Sequence, residues 1–184
     1  MMSEAIQIKE TGIFTYVNIQ IRKGIKTDIP QALQLVKELA EYEKAPLEVS
    51  VSIEEMEHDG FSENPLFFFF VAEADQKVIG IALYYIKYST WKGKCIFLED
   101  IIVTEQHRKA GIGKMLFDEV VKVAKTMNVK RMEWQVLEWN TPAIKFYEKL
   151  NASFDKEWIN CKLNEKQIQD YHFHHGDTEK TKTH

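Results

Sequence analysis

The segment Arg108-Lys109-Ala110-Gly111-Ile112-Gly113-Lys114 concentrates residues able to do chemistry, between a β-rich apolar run and a helical pattern. The first N–H groups of a helix have no partner within it, and the helix dipole adds partial positive charge there. Two glycines let an anion approach the backbone closely. Arg108, Lys109 and Lys114 add cationic donors. Together these predict a site for a phosphorylated ligand. A P-loop would need glycine where Arg108 stands and Ser or Thr where Met115 stands, and a dinucleotide fingerprint would need a small residue at Leu116. Read alone, the glycines are equally a plain turn before a helix.

Other reactive groups are sparser. Glu99 and Asp100 stand together near the end of the β-rich run, and Glu41 and Glu43 near the end of an earlier helical pattern. Solvated acids are the plainer reading of each. Cys95 and Cys161 lack a Cys or His at metal-ligand spacing, so neither a disulfide framework nor a zinc site is expected. His172, His174 and His175 lie in a tail that would hold ligand geometry poorly. No metal site is expected. Glu54, Glu55, Glu57 and Asp59 read as a solvated helix face.

The elements that must position these groups fit one domain. The 184 residues are 45% hydrophobic and 28% charged, with a formal net charge of −4. That balance suits one soluble core and argues against general nucleic-acid binding. No run approaches a membrane span, and Met1 to Glu10 lacks the apolar stretch of a signal peptide; with unpaired cysteines, a cytoplasmic protein is expected.

Phe14 to Arg22 reads as a strand. Thr27 or Asp28 can cap a helix whose buried face is Ile29, Ala32, Leu33, Val36, Leu39 and Ala40, ending near Glu43. Ser52 and Glu55 have capping-box spacing for a short helix ending at Gly60. Strands follow at Leu66–Ala74, Val78–Tyr88 and Cys95–Val103, close enough for antiparallel hairpins. Phe67 to Phe70 should be buried on both faces. A helix from Ile112 to Met127 carries the stripe Ile112, Leu116, Val120, Val123, Ala124 and Met127, with Asn128 as its stop. Arg131–Leu137 reads as a strand, Asn140 caps a helix at Thr141–Lys149, and Ser153–Leu163 supplies the last β segments. The order is α+β, with one β-loop-α-β crossover.

Arg-x-x-Gly-x-Gly after a strand ending Leu98-Glu99-Asp100-Ile101-Ile102-Val103, followed about 25 residues on by Trp139-Asn140-Thr141-Pro142-Ala143-Ile144-Lys145-Phe146-Tyr147-Glu148-Lys149, resembles the paired motifs of the Gcn5-related N-acetyltransferase superfamily. Lys37-Glu38-Leu39-Ala40-Glu41-Tyr42-Glu43, Asp59-Gly60-Phe61 with Asn64-Pro65, Tyr84-Tyr85 and Glu138-Trp139-Asn140 are most similar to its diamine (spermidine/spermine) and thialysine branches. The resemblance spans roughly Ile19 to Leu163, and it divides the chain into an N-terminal extension (1–18), an N-acetyltransferase domain (19–163) and a C-terminal tail (164–184). It implies the acyl-CoA N-acyltransferase fold: three α/β layers, a mixed, mostly antiparallel sheet flanked by helices, and splayed central strands. It also implies acetyl-CoA as co-substrate and a homodimer.

What the resemblance implies for the site is specific. The pantetheine arm would lie in the splay beside Ile101, Ile102 and Val103, with Lys109, Ala110, Gly111, Ile112, Gly113 and Lys114 holding the pyrophosphate beside Arg108. Asn140, Thr141, Pro142, Ala143 and Tyr147 would contact the cofactor from the far side. Glu99 would act as base through water, backbone N–H near Ile101 would stabilise negative charge on oxygen, and Tyr147 would act as acid. Tyr42, Glu43, Glu99, Asp100, Glu133, Trp134 and Gln135 would meet a small cationic amine. Without the resemblance, Tyr147 reads as an ordinary amphipathic core residue. The polyamine branch carries an acid where this chain has Ser89, and Tyr88-Ser89-Thr90-Trp91-Lys92-Gly93 looks more like the thialysine branch. The alternatives are an acetyltransferase for a protein or aminoglycoside amine, and a non-catalytic acyl-CoA-binding module.

Overall fold

The computed structural model describes residues 2–10 and 13–172, which fall into two compact units, Met1–Gln135 and Val136–His184. The first unit holds a six-stranded sheet in sequential order. β1 (Met2–Glu10) pairs antiparallel with β2 (Ile13–Lys23). The strand expected at Phe14–Arg22 thus has an outer neighbour that the sequence reading did not contain.

β3 (Phe68–Ala74), β4 (Lys77–Ser89) and β5 (Gly93–Val103) continue the sheet as antiparallel hairpins. Asp75 and Gln76 both take positive φ, 47° and 63°, as a two-residue hairpin with matching twist requires. Burial of the phenylalanine run is uneven. Phe69 and Phe70 are buried, whereas Phe67 precedes the strand and is half-buried, and Phe68 is 38% exposed on its first rung.

α1 (Ile29–Tyr42) and α2 (Ile53–Phe61) cover one face of the sheet. Ile29, Ala32, Leu33, Leu35 and Met56 pack against Phe69, Val71, Ile81, Leu83 and Ile102, while Val36 and Leu39 line the rim. Ser52 and Glu55 form the expected capping box. Asp28 occupies the N-cap position of α1, yet its side chain caps nothing in the helix. It accepts from Ile25 N at 2.8 Å and from Arg22 at 2.6 and 2.9 Å, and Arg22 also holds Glu73. Burial pushes the Asp28 carboxyl up, but those bonds outweigh it and the net shift is downward.

α3 (Ile112–Thr126) covers the opposite face through Ile112, Leu116, Phe117, Val120 and Ala124. It sits close because Gly80 has no side chain: a Cβ there would meet Ile102 O at 2.9 Å and Leu116 Cδ1 at 3.2 Å. Asn128, at φ 50°, ends the helix segment as expected.

β6 is only Met132–Glu133, not the expected Arg131–Leu137. It pairs parallel with β5 at two positions, Ile96↔Met132 and Phe97↔Glu133. A bulge in β5 just beyond Phe97 adds local twist and carries the two chains apart. From Leu98 to Val103 no strand lies on that edge of β5 among the described residues.

In the second unit α4 (Thr141–Lys149) is capped by Asn140, whose Oδ1 accepts from Ala143 N at 3.2 Å. Ser153–Leu163, expected to be β, forms no strand. A strand needs a neighbour to satisfy its backbone groups, and Trp158 and Ile159 here are 73% and 87% exposed. A short helix, α5 (Glu165–Gln169), lies in the tail. His172 is exposed; His174 and His175 lie outside the described residues. Among the described residues no helix is long and apolar enough to cross a membrane, and no three His, Cys, Asp or Glu side chains gather as metal ligands would.

Candidate active site

The glycine-bearing loop has the shape of an anion cradle. Lys109 and Gly111 both take left-handed conformations, φ 66° and 83°, on either side of Ala110. Alternating handedness of this kind turns successive N–H groups toward one concavity. Ile112 and Gly113 then open α3, where N–H groups have no helical partner. A Cβ built on Gly111 meets no atom within 4 Å, so the backbone there faces open space. That space and those donors fit the diphosphate of a coenzyme A thioester. Lys114 is held on its own helix, its Nζ 2.6 Å from Asp118.

Arg108 turns inward. Its Nε donates to Val103 O at 2.9 Å, and its guanidinium lies 5.2 Å from the centre of the Tyr42 ring. The last residue of α1 is thereby stacked on the start of the cradle. Ile101 is half-buried, and Ile102 and Val103 are buried, so what β5 presents along its free edge is backbone. Val103 O still has a second lone pair to offer beside the Arg108 bond.

The acids converge where β5 bulges. Leu83 faces Asp100 and Tyr84 faces Leu98, which leaves Glu99 as the extra residue on β5. A bulge re-aims the side chain it carries. Glu99 is exposed, and Asp100 is half-buried on the α1 face opposite Leu83. Burial, and then the charges of Glu99 and Glu43, push the Asp100 carboxyl up to about 6. Burial also pushes up Glu43, the C-cap residue of α1. Three carboxylates from two elements therefore share one patch of field, although they stand 43, 99 and 100 in the chain.

Tyr85 belongs with them; in the sequence it stood out only within Tyr84-Tyr85, with no role at the site. Burial, and then the nearby Glu99 carboxylate, raises its pKa. The alternation Ile81, Leu83, Tyr85 placed it on the α1 face of the strand, but its link to Glu99 depends on the bulge. Glu133 faces Phe97 across the sheet and is engaged by both Lys87 and Arg131. Trp134 turns to the other side, its ring edge-on to Phe117 of α3 at 5.4 Å. Gln135 is exposed. The structure thus gathers Glu43, Glu99 and Asp100, stacks Tyr42 on Arg108, and sends Trp134 away from Glu133.

Within the second unit, Asn140 is buried and spends its Oδ1 on the helix cap. Thr141 and Pro142 are exposed in the first turn, and Ala143 is half-buried. Tyr147 is 5% exposed, its ring 5.2 Å from that of Phe146.

Known proteins resemble this chain. The family described as the acetyltransferase (GNAT) family matches residues 32–152. A thialysine N-epsilon-acetyltransferase of Bos taurus is 39% identical over 142 residues, covering 73% of this chain and 84% of that one. A spermidine/spermine N(1)-acetyltransferase-like protein of Homo sapiens is 31% identical over 161 residues, 82% of this chain and 23% of that longer one. Among solved structures, an integron cassette protein from V. cholerae superposes with a TM-score of 0.68 at 24% identity, covering 82% of this chain and 95% of that one. An aminoglycoside N-acetyltransferase in complex with CoA reaches 0.63 at 23% identity, covering 80% and 95%. Both are too distant to indicate more than the fold. On these matches the chain belongs to the acetyltransferase (GNAT) family and is an acetyl-CoA-dependent N-acetyltransferase.

Proposed function

We propose that the protein moves the acetyl group of acetyl-CoA to the primary amine of a small cationic acceptor, lysine-like or a diamine, by direct attack in a ternary complex. One observation carries this reading: the free edge of β5 ends in a bulge that gathers Glu99 with Asp100 and Glu43 beside the cradle strand. When bound, acetyl-CoA supplies a thioester carbonyl carbon open to attack. A lysine-like amine, with a pKa near 10.4, arrives protonated and cannot attack in that form. Glu99 takes its proton through water, with Asp100 and Glu43 favouring the cation's approach. Backbone N–H near Ile101 stabilises charge developing on oxygen. As the C–N bond forms and the C–S bond breaks, Tyr147 gives its phenolic proton to sulfur, and the second proton shed by the attacking nitrogen passes through water to restore the phenol.

Tyr42, Glu43, Glu99, Asp100, Glu133, Trp134 and Gln135 are the residues assigned to the acceptor. Ile101 to Val103, Arg108 to Lys114, Asn140 to Ala143 and Tyr147 are those assigned to the cofactor. The relatives named for thialysine and for spermidine/spermine support a small amine. We place the catalytic domain at residues 19–163, in a cytoplasmic homodimer. A panel of spermidine, putrescine, lysine and thialysine, followed by thiol release, tests the acceptor. Turnover with peptides alone would defeat the small-amine reading, and light scattering of the purified protein tests the dimer.

A further inference from the structure

Beyond the bulge, the α1 face of the sheet changes sign. Tyr85 and Lys87 follow Leu83 on that face, and Tyr85 stacks on Phe97 with ring centres 5.3 Å apart. Lys87 Nζ lies 5.3 Å from the Phe97 ring centre and 2.5 Å from Glu133. Arg131 Nε, two residues earlier in the chain, pairs with the other oxygen of the same carboxylate. Two cations on one carboxylate leave an excess of one positive charge, and both cationic side chains are partly open to solvent, at 43% and 38%. The stripe therefore runs from carboxylates at Glu43, Asp100 and Glu99, across the ring platform, to a net cation. A diamine laid along it would bring its second ammonium against like charge. An α-amino acid carries that same ammonium, but beside it a carboxylate that meets the opposite charge.

The dimensions agree. Glu133 stands opposite Phe97 on the neighbouring strand and Glu99 two residues beyond Phe97, so Glu99 and the carboxylate that holds Lys87 lie roughly 8 Å apart. An extended lysine spans roughly 7 Å from its side-chain nitrogen to its carboxylate carbon through six bonds of about 1.5 Å, and leaning side chains close the difference. We propose that Lys87, supported by Arg131 across Glu133, receives the carboxylate of an α-amino-acid acceptor whose side-chain amine lies at Glu99, and so selects amino acids over diamines. This rests on the small-amine reading of the site. The platform between holds the methylenes, and Glu133 keeps Lys87 aimed across Phe97.

Lysine and cadaverine test it, because they share the reacting amine and chain length and differ by the carboxylate alone. For the wild-type protein, kcat/KM should favour lysine about tenfold, the scale of one charge-assisted hydrogen bond at a half-exposed position. Lys87→Met should raise the KM for lysine about tenfold and lower that for cadaverine, since Glu133 then faces the second ammonium with one cation fewer. Lys87→Arg should restore the preference for lysine. A purely structural ion pair would move both KM values in the same direction. Equal use of the two compounds by the wild type, or an unchanged ratio in Lys87→Met, overturns the proposal. Acetylation of neither compound by the wild type defeats the small-amine reading itself, a result distinct from equal use of both.

Discussion

Replacing Gly111 with alanine separates the cost of the backbone from the cost to the ligand. Gly111 sits at φ 83°, and a Cβ there touches nothing within 4 Å. The folding penalty is therefore conformational alone, about 1–2 kcal/mol for an L-residue held in the left-handed region. For a chain of this length that lowers Tm by roughly 2–8 °C. The space the methyl enters is the space assigned to the diphosphate. Losing one charge-assisted hydrogen bond there costs about 1.5–3 kcal/mol, so CoA should bind roughly 10- to 100-fold more weakly. Titration calorimetry with CoA and with acetyl-pantetheine, which lacks the diphosphate, distinguishes the two effects. The loss should be confined to CoA. Lys109→Gly provides the converse: it relieves a non-glycine φ of 66° and should raise Tm without weakening CoA through the backbone. Normal CoA affinity in Gly111→Ala, or an equal loss for acetyl-pantetheine, would refute the diphosphate cradle.

Other expectations follow from the same geometry. The KM for the amine should rise as pH falls through about 6, because Asp100 then takes up a proton and the acid patch loses a charge. Glu43→Gln removes one of the charges raising Asp100, so that acid limb should move to lower pH; a limb that stays in place excludes Asp100 as its source. The folded pKa of Asp100 lies above the ordinary carboxylate value, so its contribution to stability is present at low pH and lost as pH rises through about 6. Asp100→Asn should accordingly raise Tm at pH 7 while weakening amine binding, checked by thermal melts beside kinetics. Tyr147→Phe should lower kcat far more than CoA affinity; near-normal turnover across the pH range would remove Tyr147 as the acid. In a double-mutant cycle Tyr42→Ala and Arg108→Ala should couple by about 0.5–1 kcal/mol, the scale of an exposed cation–π contact, whereas Tyr42→Phe keeps the ring and should be nearly neutral.

The amino-acid order by itself determined what depends on short range. The helices at Ile29, Ile53, Ile112 and Thr141 begin where Pro30, Ser52, Gly111 and Asn140 stand, because helix starts are set by residues within one turn. The hairpin at Asp75-Gln76 and the glycine-bearing turn into α3 were legible for the same reason. The three central strands were readable from apolar runs. Local patterning failed where a segment's state depends on a distant neighbour. The residues of Arg131–Leu137 and Ser153–Leu163 suit strands, yet only Met132–Glu133 finds a ladder. Asp28 looked like a helix cap, but Arg22 and Ile25 claim its oxygens.

Only the tertiary structure decided the electrostatics of the site. Glu43, Glu99 and Asp100 become one patch because α1 ends over a bulge in β5. Tyr85 joins them because the bulge re-aims Glu99 across the β4–β5 hairpin, and Lys87 meets Glu133 because β6, far along the chain, pairs beside β5. Charge acts through space within a few ångströms, whereas sequence spacing reports proximity only along one element.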